Sequence, residues 1–381
     1  MISLYINWHL DPEIVRFAAL SLRWYSLLFA FGFYAGYWVG VQMFKKEGRY
    51  EPRTEMLLVA LVIGTFVGAR MGHVLFYDPG FYFSHPIEIL KIWKGGLSSH
   101  GTVLGMLAGL FIYVYGGKAV PQLFTNTFWK GKRQLIPVNP GRYTYLGQMD
   151  LVVLFVLVGA IFIRVGNFTN SEIVGTPTDL PWGVVFTQPV EEGIKKRMPQ
   201  VESVALKKES WNGFQDVLLF TFKDKNYNPQ YLQQQLNQRG EQVFQKANQP
   251  IPHLAVPGEK GLSFEVDFGQ DPFVARAHVL PIPRHPAQLY EALWYLLLFL
   301  FIYRLWQKGR EENNAGKLSG LFLILGFGGR FLIEFVKEDQ VAAEAGLLLN
   351  YGQVLSVPLV ILGCYLYLGS RKGKWPKTLS L

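Results

Sequence analysis

The sequence is short of cysteine and of charge, and both shortages restrict what the protein can be. Its 381 residues contain a single cysteine, Cys364, which excludes an internal disulfide and a cysteine metal cluster. Charged residues make up only 17% of the chain, whereas soluble domains contain about a quarter. Half of the residues are hydrophobic. This balance predicts a membrane protein rather than a soluble multi-domain one.

The sequence predicts no cleavable signal peptide, and no internal repeat stands out. Asp11, Glu13 and Arg16 interrupt the apolar pattern of the first 20 residues, and no small-residue cleavage site follows a basic start. Without an internal repeat, an inverted-repeat transporter is not supported.

Seven apolar runs are long enough to predict transmembrane helices. Helix is the only structure that lets a single span satisfy its own backbone in lipid. The predicted fold class is therefore an all-α polytopic membrane protein with seven transmembrane helices. The predicted spans are residues 21–43, 57–76, 101–116, 149–165, 288–306, 318–336 and 351–369.

The basic residues lie in alternate loops, and this predicts the orientation of the helices. They cluster after the first, third, fifth and seventh spans, whereas the other short loops hold few. Under the positive-inside rule, the N-terminus is outside and the C-terminus is cytoplasmic. The net charge of +9 is thus explained by membrane topology, and no nucleic-acid partner is predicted. The clusters occupy residues 45–53, 118–142, 304–317 and 371–377.

One long polar segment separates the fourth and fifth spans. Residues 177–283 contain no spanning run, but they contain two strand-like stretches, 214–222 and 262–268, and a helix-like one, 229–238. We expect a small α+β domain outside the membrane, inserted between membrane parts 1–176 and 284–381. An insertion without a catalytic role remains an alternative.

Residues 86–93 are amphipathic and predict a short interfacial helix.

Charged residues inside the predicted spans are the strongest functional signal. A charge at mid-bilayer costs on the order of 2.5–3.5 kcal/mol on the insertion scale, so such residues usually face a polar cavity. Arg70 lies in the second span, Arg164 ends the fourth, and Arg330 and Glu334 share a face of the sixth. Either Glu334 orients Arg330 toward an anion, or the two form an ion pair that fixes helix packing. Arginine suits a phosphate because its planar fork binds two oxygens and stays charged.

Polar residues and glycines follow Arg164 where the helix leaves the membrane. Asn167 and Asn170 offer donors, Glu172 offers a base or a partner, and Gly175 permits a tight turn. The alternative is a purely structural role, in which these residues cap the end of the helix.

Three further residues are candidates on weaker grounds. His100 lies in a glycine-rich turn that opens the third span, where it has the chemistry of an acid or a base. Tyr25 near the first span is explained equally well as an interfacial anchor. Asp150 at the start of the fourth span is explained equally well as a complement to a helix N-terminus.

Seven short motifs stand out along the chain. In chain order they are Arg23-Trp-Tyr25, Gly68-Ala-Arg-x-Gly-His73, Gly95-Gly-Leu-x-x-His-Gly101, Arg164-x-Gly-Asn-Phe-x-Asn-x-Glu-x-x-Gly175, His285-Pro-x-Gln-Leu-Tyr-Glu291, Gly329-Arg-Phe-x-x-Glu-Phe335 and Gly352-Gln-x-x-Ser356. The run from Arg164 to Gly175 resembles the signature of the prolipoprotein diacylglyceryl transferase family, and the other six match in the family's order. Any one motif is weak, but six in order are specific, and the resemblance covers all seven spans.

The resemblance implies a reaction that composition cannot show. Such enzymes move a diacylglyceryl group from phosphatidylglycerol to the lipobox cysteine of a preprolipoprotein in the bacterial inner membrane, with the active site toward the outer leaflet. No metal or diffusible cofactor is implied. Arg164 and Arg330 would bind the headgroup and stabilise charge on the departing phosphate, and His100 would assist deprotonation of the thiol. The implied substrate-binding residues are Tyr25, Arg70, Asp150, Asn167, Asn170, Glu172, Gly175 and Glu334.

This chain departs from the family pattern near the second arginine. Gly326 stands where we expect tyrosine, and Lys337 where we expect arginine. Lysine keeps the charge but loses the planar fork of arginine.

Two functions other than diacylglyceryl transfer are alternatives, a lipid-binding protein without chemistry and an intramembrane hydrolase. The hydrolase would require a serine–histidine or paired-aspartate arrangement within the spans.

Overall fold

The computed structural model describes most of the chain, and its residues fall into two compact units. The mixed unit contains residues 1–29, 163–292 and 332–350, and the helical unit contains residues 30–162, 293–331 and 351–381. The described residues are 5–17, 20–47, 52–91, 95–115, 144–208, 216–223, 228–257, 261–267, 269, 273–309, 314–339 and 347–375.

Helices dominate the described residues. Three short helices of other types supplement them, the 3₁₀ helices at Pro86–Leu90 and Glu334–Val336 and a π-helix at Leu236–Gly240. The α-helices are α1 (Trp24–Lys46), α2 (Pro52–Phe76), α3 (Pro79–Ser84), α4 (Ser99–Tyr115), α5 (Tyr145–Thr169), α6 (Gln188–Arg197), α7 (Pro229–Gln235), α8 (Glu241–Ala247), α9 (Ala287–Lys308), α10 (Lys317–Ile333) and α11 (Tyr351–Arg371).

Six helices among the described residues are long and apolar enough to cross a membrane, which confirms a polytopic membrane protein. They are α1, α5, α9, α11, residues Glu55–Phe76 of α2, and Lys317–Val336 around α10. At the third predicted span, α4 is apolar but has only 17 residues. A seventh crossing therefore stays a prediction. The basic cluster at 118–142 lies outside the described residues.

Glycines bring α2 and α4 into backbone contact within the helical unit. A Cβ on Gly68 would lie 2.3 Å from the carbonyl oxygen of Gly101, and one on Gly105 would lie 2.0 Å from that of Gly64. Small residues at this spacing let two helices approach closely in a membrane, where van der Waals packing replaces the hydrophobic effect. This contact fixes the start of α4 against α2.

The mixed unit contains strands as well as helix ends. The strands are β1 (Ile6–Trp8), β2 (Glu13–Phe17), β3 (Leu20–Arg23), β4 (Val184–Phe186), β5 (Val201–Lys207), β6 (Asp216–Phe222), β7 (Leu254–Ala255), β8 (Phe264–Asp267) and β9 (Val274–Pro281). A five-stranded sheet has the order β5-β6-β9-β7, with β8 also paired to β9. Separately, β1 pairs with β4 in parallel and β2 pairs with β3.

Alternation along β6 shows how the sheet gains its core. Leu218, Phe220 and Phe222 are buried in one cluster together with Val190 and Ile194 of α6. A period of two places such residues on one face of a strand. The helices α6, α7 and α8 supply the opposite side of this core.

A smaller apolar cluster connects this folded region to the end of α5. Phe168 at the end of α5 packs against Trp8 of β1, with ring centroids 4.4 Å apart, and against Phe186 of β4, at 5.8 Å. Ile251 and Leu289 are partly buried against the same cluster. The residues that follow Arg164 are therefore supported by segments that are distant in the sequence.

Candidate active site

Arg164 lies in the last two turns of α5 and is anchored on one edge of its guanidinium. Its Nε lies 2.9 Å from Oε2 of Glu291 on α9, and its Nη1 donates to Asn167 Oδ1 at 3.3 Å. The side chain is 14% exposed, whereas that of Glu291 is fully buried. Within the described residues, Nη2 has no hydrogen-bond partner in the protein. An arginine held in this way can present its outer edge to an anion.

The residues after Arg164 form a closed polar loop around Glu172. Asn167 Nδ2 donates to Glu172 Oε2 at 3.4 Å, and Asn170 Nδ2 donates to Oε1 at 3.1 Å. The backbone nitrogen of Glu172 donates to the carbonyl of Asn167 at 2.9 Å, and Gln288 Nε2 donates to the carbonyl of Glu172 at 2.5 Å. The sequence motif is thus one hydrogen-bonded structure rather than a simple helix cap.

Two residues in this loop have left-handed backbones. Ser171 has φ of 55° and Ile173 has φ of 57°. A β-branched residue at positive φ is a genuine outlier and stores strain on the order of 1–3 kcal/mol. Such strain persists only where the surrounding contacts over-determine the conformation. Here the contacts of the Glu172 loop do so.

Gly175 ends the loop at a place that excludes any side chain. A Cβ here would lie 2.5 Å from both the Cβ and the carbonyl oxygen of His285, and 2.6 Å from the carbonyl oxygen of Val336. Its nitrogen donates to the His285 carbonyl at 2.9 Å, and the residue forms an isolated antiparallel bridge with Lys337. Gly175 therefore joins three chain segments at one point.

Lys337 forms ion pairs with two buried carboxylates, one of which, Glu291, also pairs with Arg164. Lys337 Nζ lies 3.0 Å from Glu291 Oε1 and 3.0 Å from Glu334 Oε2. The side chains of Lys337 and Glu334 are 1% and 5% exposed. A buried carboxylate such as that of Glu291 is tolerable only with its charge partners in place.

Arg284 connects the end of the loop to Pro252 and Glu338 within the mixed unit. Its Nη1 donates to the carbonyl of Gly175 at 3.1 Å and lies 2.7 Å from Glu338 Oε2. Its Nε and Nη2 both donate to the carbonyl of Pro252, at 3.2 and 2.7 Å. Arg284 is 1% exposed, so these contacts are structural.

His285 forms a hydrogen-bonded chain beside Gly175. Its Nδ1 lies 3.2 Å from the hydroxyl of Tyr290, which accepts a bond from Trp182 Nε1 at 2.8 Å. Burial lowers the pKa of His285 below its ordinary value. The neutral imidazole is therefore favoured here at neutral pH.

Tyr25 packs against the end of α5, at Gly166 two residues after Arg164. A Cβ on Gly166 would be 2.9 Å from Tyr25 Cδ2, so the glycine lets the ring pack on the backbone of α5. The ring also stacks on Phe29, with centroids 6.3 Å apart. Tyr25, Arg164, Asn167, Asn170, Glu172, Gly175 and Glu334 all belong to the mixed unit.

His100 belongs to the helical unit, where α4 begins. Ser98 Oγ accepts a hydrogen bond from the nitrogen of Gly101 at 3.2 Å, which is the geometry of an N-cap, and His100 is exposed in the first turn. The preceding Gly95 and Gly96 have φ of 86° and 73°, which glycine adopts without strain.

Arg70 is surrounded by backbone carbonyls. Its Nε donates to Ile89 at 2.8 Å, Nη2 to Glu88 at 2.5 Å, and Nη1 to Gly95 and Gly96 at 2.7 and 3.0 Å. Its guanidinium also lies over the ring of Tyr82, 4.8 Å from the centroid. These contacts hold the segment before α4, so the observed geometry is structural. Headgroup binding by Arg70 stays a prediction.

Asp150 caps a helix in the helical unit. Its Oδ1 accepts from the nitrogen and the hydroxyl of Ser319 at 2.8 and 2.7 Å, and its Oδ2 accepts from the nitrogen of Gly316 at 2.9 Å. These donors belong to the first turn of α10 and the residue before it. A carboxylate there satisfies orphan amides and complements the helix dipole. The structural alternative for Asp150 thus has specific contacts, and a substrate role stays a prediction.

Arg330 lies near the end of α10 and is half-buried. The preceding Gly329 leaves room for an indole, because a Cβ there would lie 2.0 Å from Trp294 Nε1. That indole donates to the carbonyl of Leu325 at 3.0 Å. The helix α10 ends at Ile333, so Glu334 lies in the 3₁₀ turn that follows. The pairing of Arg330 with Glu334 stays a prediction.

The family model for prolipoprotein diacylglyceryl transferase matches residues 12–368, which include all of these side chains. This chain belongs to the prolipoprotein diacylglyceryl transferase family. It is therefore a transferase.

Relatives named phosphatidylglycerol–prolipoprotein diacylglyceryl transferase are similar along nearly their whole length. The protein of Tolumonas auensis is 32% identical over 368 residues, covering 96% of this chain and 98% of its own. That of Chloroherpeton thalassium is 28% identical over 370 residues, covering 97% and 96%. That of Porphyromonas gingivalis is 29% identical over 382 residues, covering 99% and 98%.

Within this transferase, Glu291, Gln288 and Arg284 contact the Arg164 loop but were not predicted as site residues. Glu291 and Gln288 do lie in the resembling motif that begins at His285. A glutamate near the start of a predicted span was the available signal, because buried charges in membranes mark function. Arg284 precedes the motif and offered no such signal.

Proposed function

We propose that this transferase moves a diacylglyceryl group from phosphatidylglycerol to the lipobox cysteine of a preprolipoprotein. The cysteine sulfur forms a bond to the glyceryl carbon, and the bond from that carbon to the phosphate oxygen breaks. Glycerol phosphate leaves with the electron pair, and the thiol proton passes to a base and then to solvent or the leaving phosphate. The products are a thioether-linked lipid and glycerol phosphate. This is the first step of bacterial lipoprotein maturation.

The observation that carries the proposal is the anchored Arg164 inside the motif that matches the family. Glu291 holds Nε and Asn167 accepts from Nη1, which leaves the outer edge of the guanidinium for a ligand. A phosphodiester supplies two oxygens at the spacing of this fork. Charge that develops on the leaving phosphate would be stabilised by the same contacts, a form of electrostatic catalysis.

Arg330 is the proposed second contact to the phosphate. It lies in the last turn of an otherwise apolar helix, and charged side chains in membrane helices usually mark function. Two guanidinium groups from different helices would divide the charge of the departing phosphate. The proposal needs both to reach the same lipid.

His100 is the proposed group that assists the thiol. A thiolate rather than a thiol is the nucleophile, so a base close to the sulfur lowers the barrier. The exposed position of His100 in the first turn of α4 supports access by a substrate. Asn167, Asn170 and Glu172 would orient the glycerol headgroup.

The proposed setting is the inner membrane of a bacterium. The apolar runs support seven spans, and the charge pattern of the loops supports an outside N-terminus, a cytoplasmic C-terminus and an external position for the domain at 177–283. The active site would face the outer leaflet, where secreted preprolipoproteins arrive. The proposed substrates need no metal or diffusible cofactor.

A mass-spectrometric assay tests the function directly. Purified protein in detergent is incubated with a lipobox peptide and phosphatidylglycerol. The expected result is a peptide mass increased by one diacylglyceryl group and an equal amount of glycerol phosphate. Matched reactions replace the cysteine of the peptide with serine, or replace phosphatidylglycerol with a zwitterionic lipid. If folded wild-type protein forms no adduct on the cysteine peptide in the presence of phosphatidylglycerol, the proposal is contradicted.

A further inference from the structure

Three contacts join residues around the start of α9 to the Arg164 loop, residues 164–175. The contacting residues follow one another at intervals of three, and they meet the loop in the reverse order of the chain. The pairs are the His285 carbonyl with the Gly175 nitrogen at 2.9 Å, Gln288 Nε2 with the Glu172 carbonyl at 2.5 Å, and Glu291 Oε2 with Arg164 Nε at 2.9 Å. Residues three apart share one face of a helix, so α9 holds the arginine and the Glu172 backbone from the same side.

Gln288 fixes the part of the loop with the least ordinary backbone. Glu172 stands between Ser171 and Ile173, whose φ values are 55° and 57°. Among the described residues, the Gln288 amide is the only hydrogen-bond donor to Glu172 from outside the loop. Left-handed backbone at such residues persists only where other contacts hold it. Gln288 therefore connects this turn to a transmembrane helix.

The Gln288 amide has one possible orientation at this contact. A backbone carbonyl can only accept a hydrogen bond, so Nε2 must face Glu172. Gln288 is fully buried, and within the part of the chain that the structure describes its Oε1 has no hydrogen-bond partner. Burial makes the bond to Glu172 electrostatically stronger than it would be in water. Removing the amide thus removes one defined contact.

The Glu172 side chain lies on the accessible side of this contact. Glu172 is exposed, whereas Gln288 is not. Its carboxylate accepts from Asn167 Nδ2 at 3.4 Å, and Asn167 Oδ1 in turn accepts from Arg164 Nη1 at 3.3 Å. A single amide therefore separates the carboxylate from the guanidinium. A carboxylate accepts hydrogen bonds from hydroxyl groups and repels a phosphate, so it suits the glycerol part of a headgroup whose phosphate meets Arg164.

We propose that Gln288 is a positioning residue that sets the selectivity of the enzyme for the hydroxyl groups of the phosphatidylglycerol headgroup. Its amide holds the Glu172 carbonyl and thereby aims the Glu172 carboxylate at these hydroxyls. Gln288 acts through Glu172 and does not contact the lipid. This inference rests on the proposed function, which assigns Glu172 to the headgroup. It predicts that loss of the amide weakens discrimination between headgroups more than it weakens transfer itself.

A competition between two anionic lipids tests the proposal with purified, full-length protein. Phosphatidylpropanol has the same phosphodiester charge as phosphatidylglycerol but lacks the headgroup hydroxyls. The two lipids have different acyl chains and are mixed in equal amounts with a lipobox peptide, so the mass of the adduct identifies its donor. Exchanging the acyl chains between the headgroups in a second reaction corrects for chain preference. Both adducts form in one reaction, so their ratio does not depend on the folded fraction of the enzyme.

The ratio of the two adducts is the deciding quantity. Wild type should favour phosphatidylglycerol at least about tenfold, because a site that binds hydroxyl groups rejects a lipid without them. Gln288→Met keeps the length of the side chain but has no donor, and it should lower this ratio at least about threefold. Gln288→Leu provides the same measurement if the methionine variant does not fold. A wild-type ratio in the folded variant, whether or not total transfer falls, would overturn the proposal.

A second variant tests whether Gln288 acts through Glu172. Glu172→Gln alone should lower the ratio at least about threefold. Adding Gln288→Met to it should then change the ratio by less than about twofold, because two residues that act as a unit give non-additive effects. Losses that multiply in the double variant would show that the residues act independently, and this result would overturn the proposal.

The matched control is Gln233→Met in α7. Gln233 Nε2 donates to the carbonyl of Phe264 at 3.1 Å, so the same substitution removes a similar bond outside the site and should leave the ratio unchanged. Thermal unfolding identifies the variants that fold. Wild-type protein that forms no adduct from phosphatidylglycerol would contradict the proposed function. Wild-type protein that forms the adduct but does not prefer phosphatidylglycerol would contradict only the present inference.

Discussion

Arg164 and Glu291 lie on different transmembrane helices, and the guanidinium Nε of one is 2.9 Å from the carboxylate Oε2 of the other. The arginine is 14% exposed and the glutamate is fully buried. The carboxylate therefore fixes the inner edge of the guanidinium and leaves its outer edge accessible. This geometry turns a costly membrane charge into a directed anion-binding group.

Gly175 should tolerate no larger residue. Gly175→Ala places a methyl group 2.5 Å from the His285 carbonyl and 2.6 Å from that of Val336, so the Arg164 loop must shift. Overpacking of this kind costs about 1–3 kcal/mol, and transfer should fall at least about tenfold. Rates and unfolding temperatures should be compared with Gly159→Ala, where a Cβ meets no atom within 4 Å. Equal behaviour of the two variants would show that the close approach is unimportant.

Asp150 offers a choice between a helix cap and a substrate ligand. Its three hydrogen bonds to Gly316 and Ser319 predict that Asp150→Ala lowers the free energy of unfolding by about 1–2 kcal/mol. The KM for phosphatidylglycerol should stay within about twofold in the folded fraction. Thermal unfolding and steady-state kinetics at varied lipid concentration measure the two effects. A large rise in the lipid KM at unchanged stability would instead support the substrate role.

Arg70 should act on the segment before α4. Arg70→Lys keeps the charge, but an ammonium cannot reach the carbonyls of Ile89, Glu88, Gly95 and Gly96 together. Amide hydrogen exchange across residues 86–98 should therefore become faster. Transfer should fall with it, because this segment leads to His100. Faster exchange with wild-type transfer kinetics would show that Arg70 has no role in the reaction. Unchanged exchange would contradict a role for Arg70 in holding the segment before α4.

His253 should make stability depend on pH. Burial and the nearby Arg284 lower its pKa from an ordinary 6.5 to about 4. The unfolded chain therefore takes up a proton as the pH falls below 6.5, whereas the folded chain does so only near pH 4. The stability present above pH 6.5 is lost progressively toward pH 4, by about 3 kcal/mol at most.

The matched variant for this test is His253→Gln, which cannot titrate. The difference in unfolding free energy between wild type and this variant should shrink or reverse as the pH falls from 7 to 4. His9 serves as a control because its pKa is shifted in the opposite direction. Its hydrogen bond to Glu191 raises its pKa, so its contribution is present at low pH and is lost as the pH rises through the raised value. A difference between wild type and His253→Gln that is independent of pH would contradict the buried neutral imidazole.

Site residues could be predicted from the sequence where the interacting side chains are close together in the chain. The Arg164–Gly175 loop could be predicted because its donors, acceptor and glycines are adjacent in the chain. Glu291 could not be placed from the same reasoning, since only the packing of α9 against the end of α5 brings its carboxylate to Arg164. Lys337 was noticed as a departure from the family, but its partners depend on the turn after α10.

Long-range pairing also explains what was missed in the fold. The charged residues near the N-terminus indicated only a broken apolar pattern, yet β1 pairs in parallel with β4, whose first pair joins Ile6 and Val184. Local propensity contains no information about such a partner. Asp150 shows the same limit. The sequence left open both a complement to a helix N-terminus and a substrate role implied by the resemblance, and only the structure reveals its contacts with the amides of Gly316 and Ser319.

The paired-arginine mechanism is tested most directly by the rate of thioether formation in Arg164→Ala and Arg330→Ala. The measurement is the mass-spectrometric appearance of diacylglyceryl peptide made by purified, folded variants. The matched control is Arg197→Ala, which changes an exposed side chain at the end of α6. Each active-site variant should lose at least about 10²–10³-fold in rate, while Arg197→Ala keeps the wild-type rate. Wild-type turnover by either Arg164→Ala or Arg330→Ala would contradict the account.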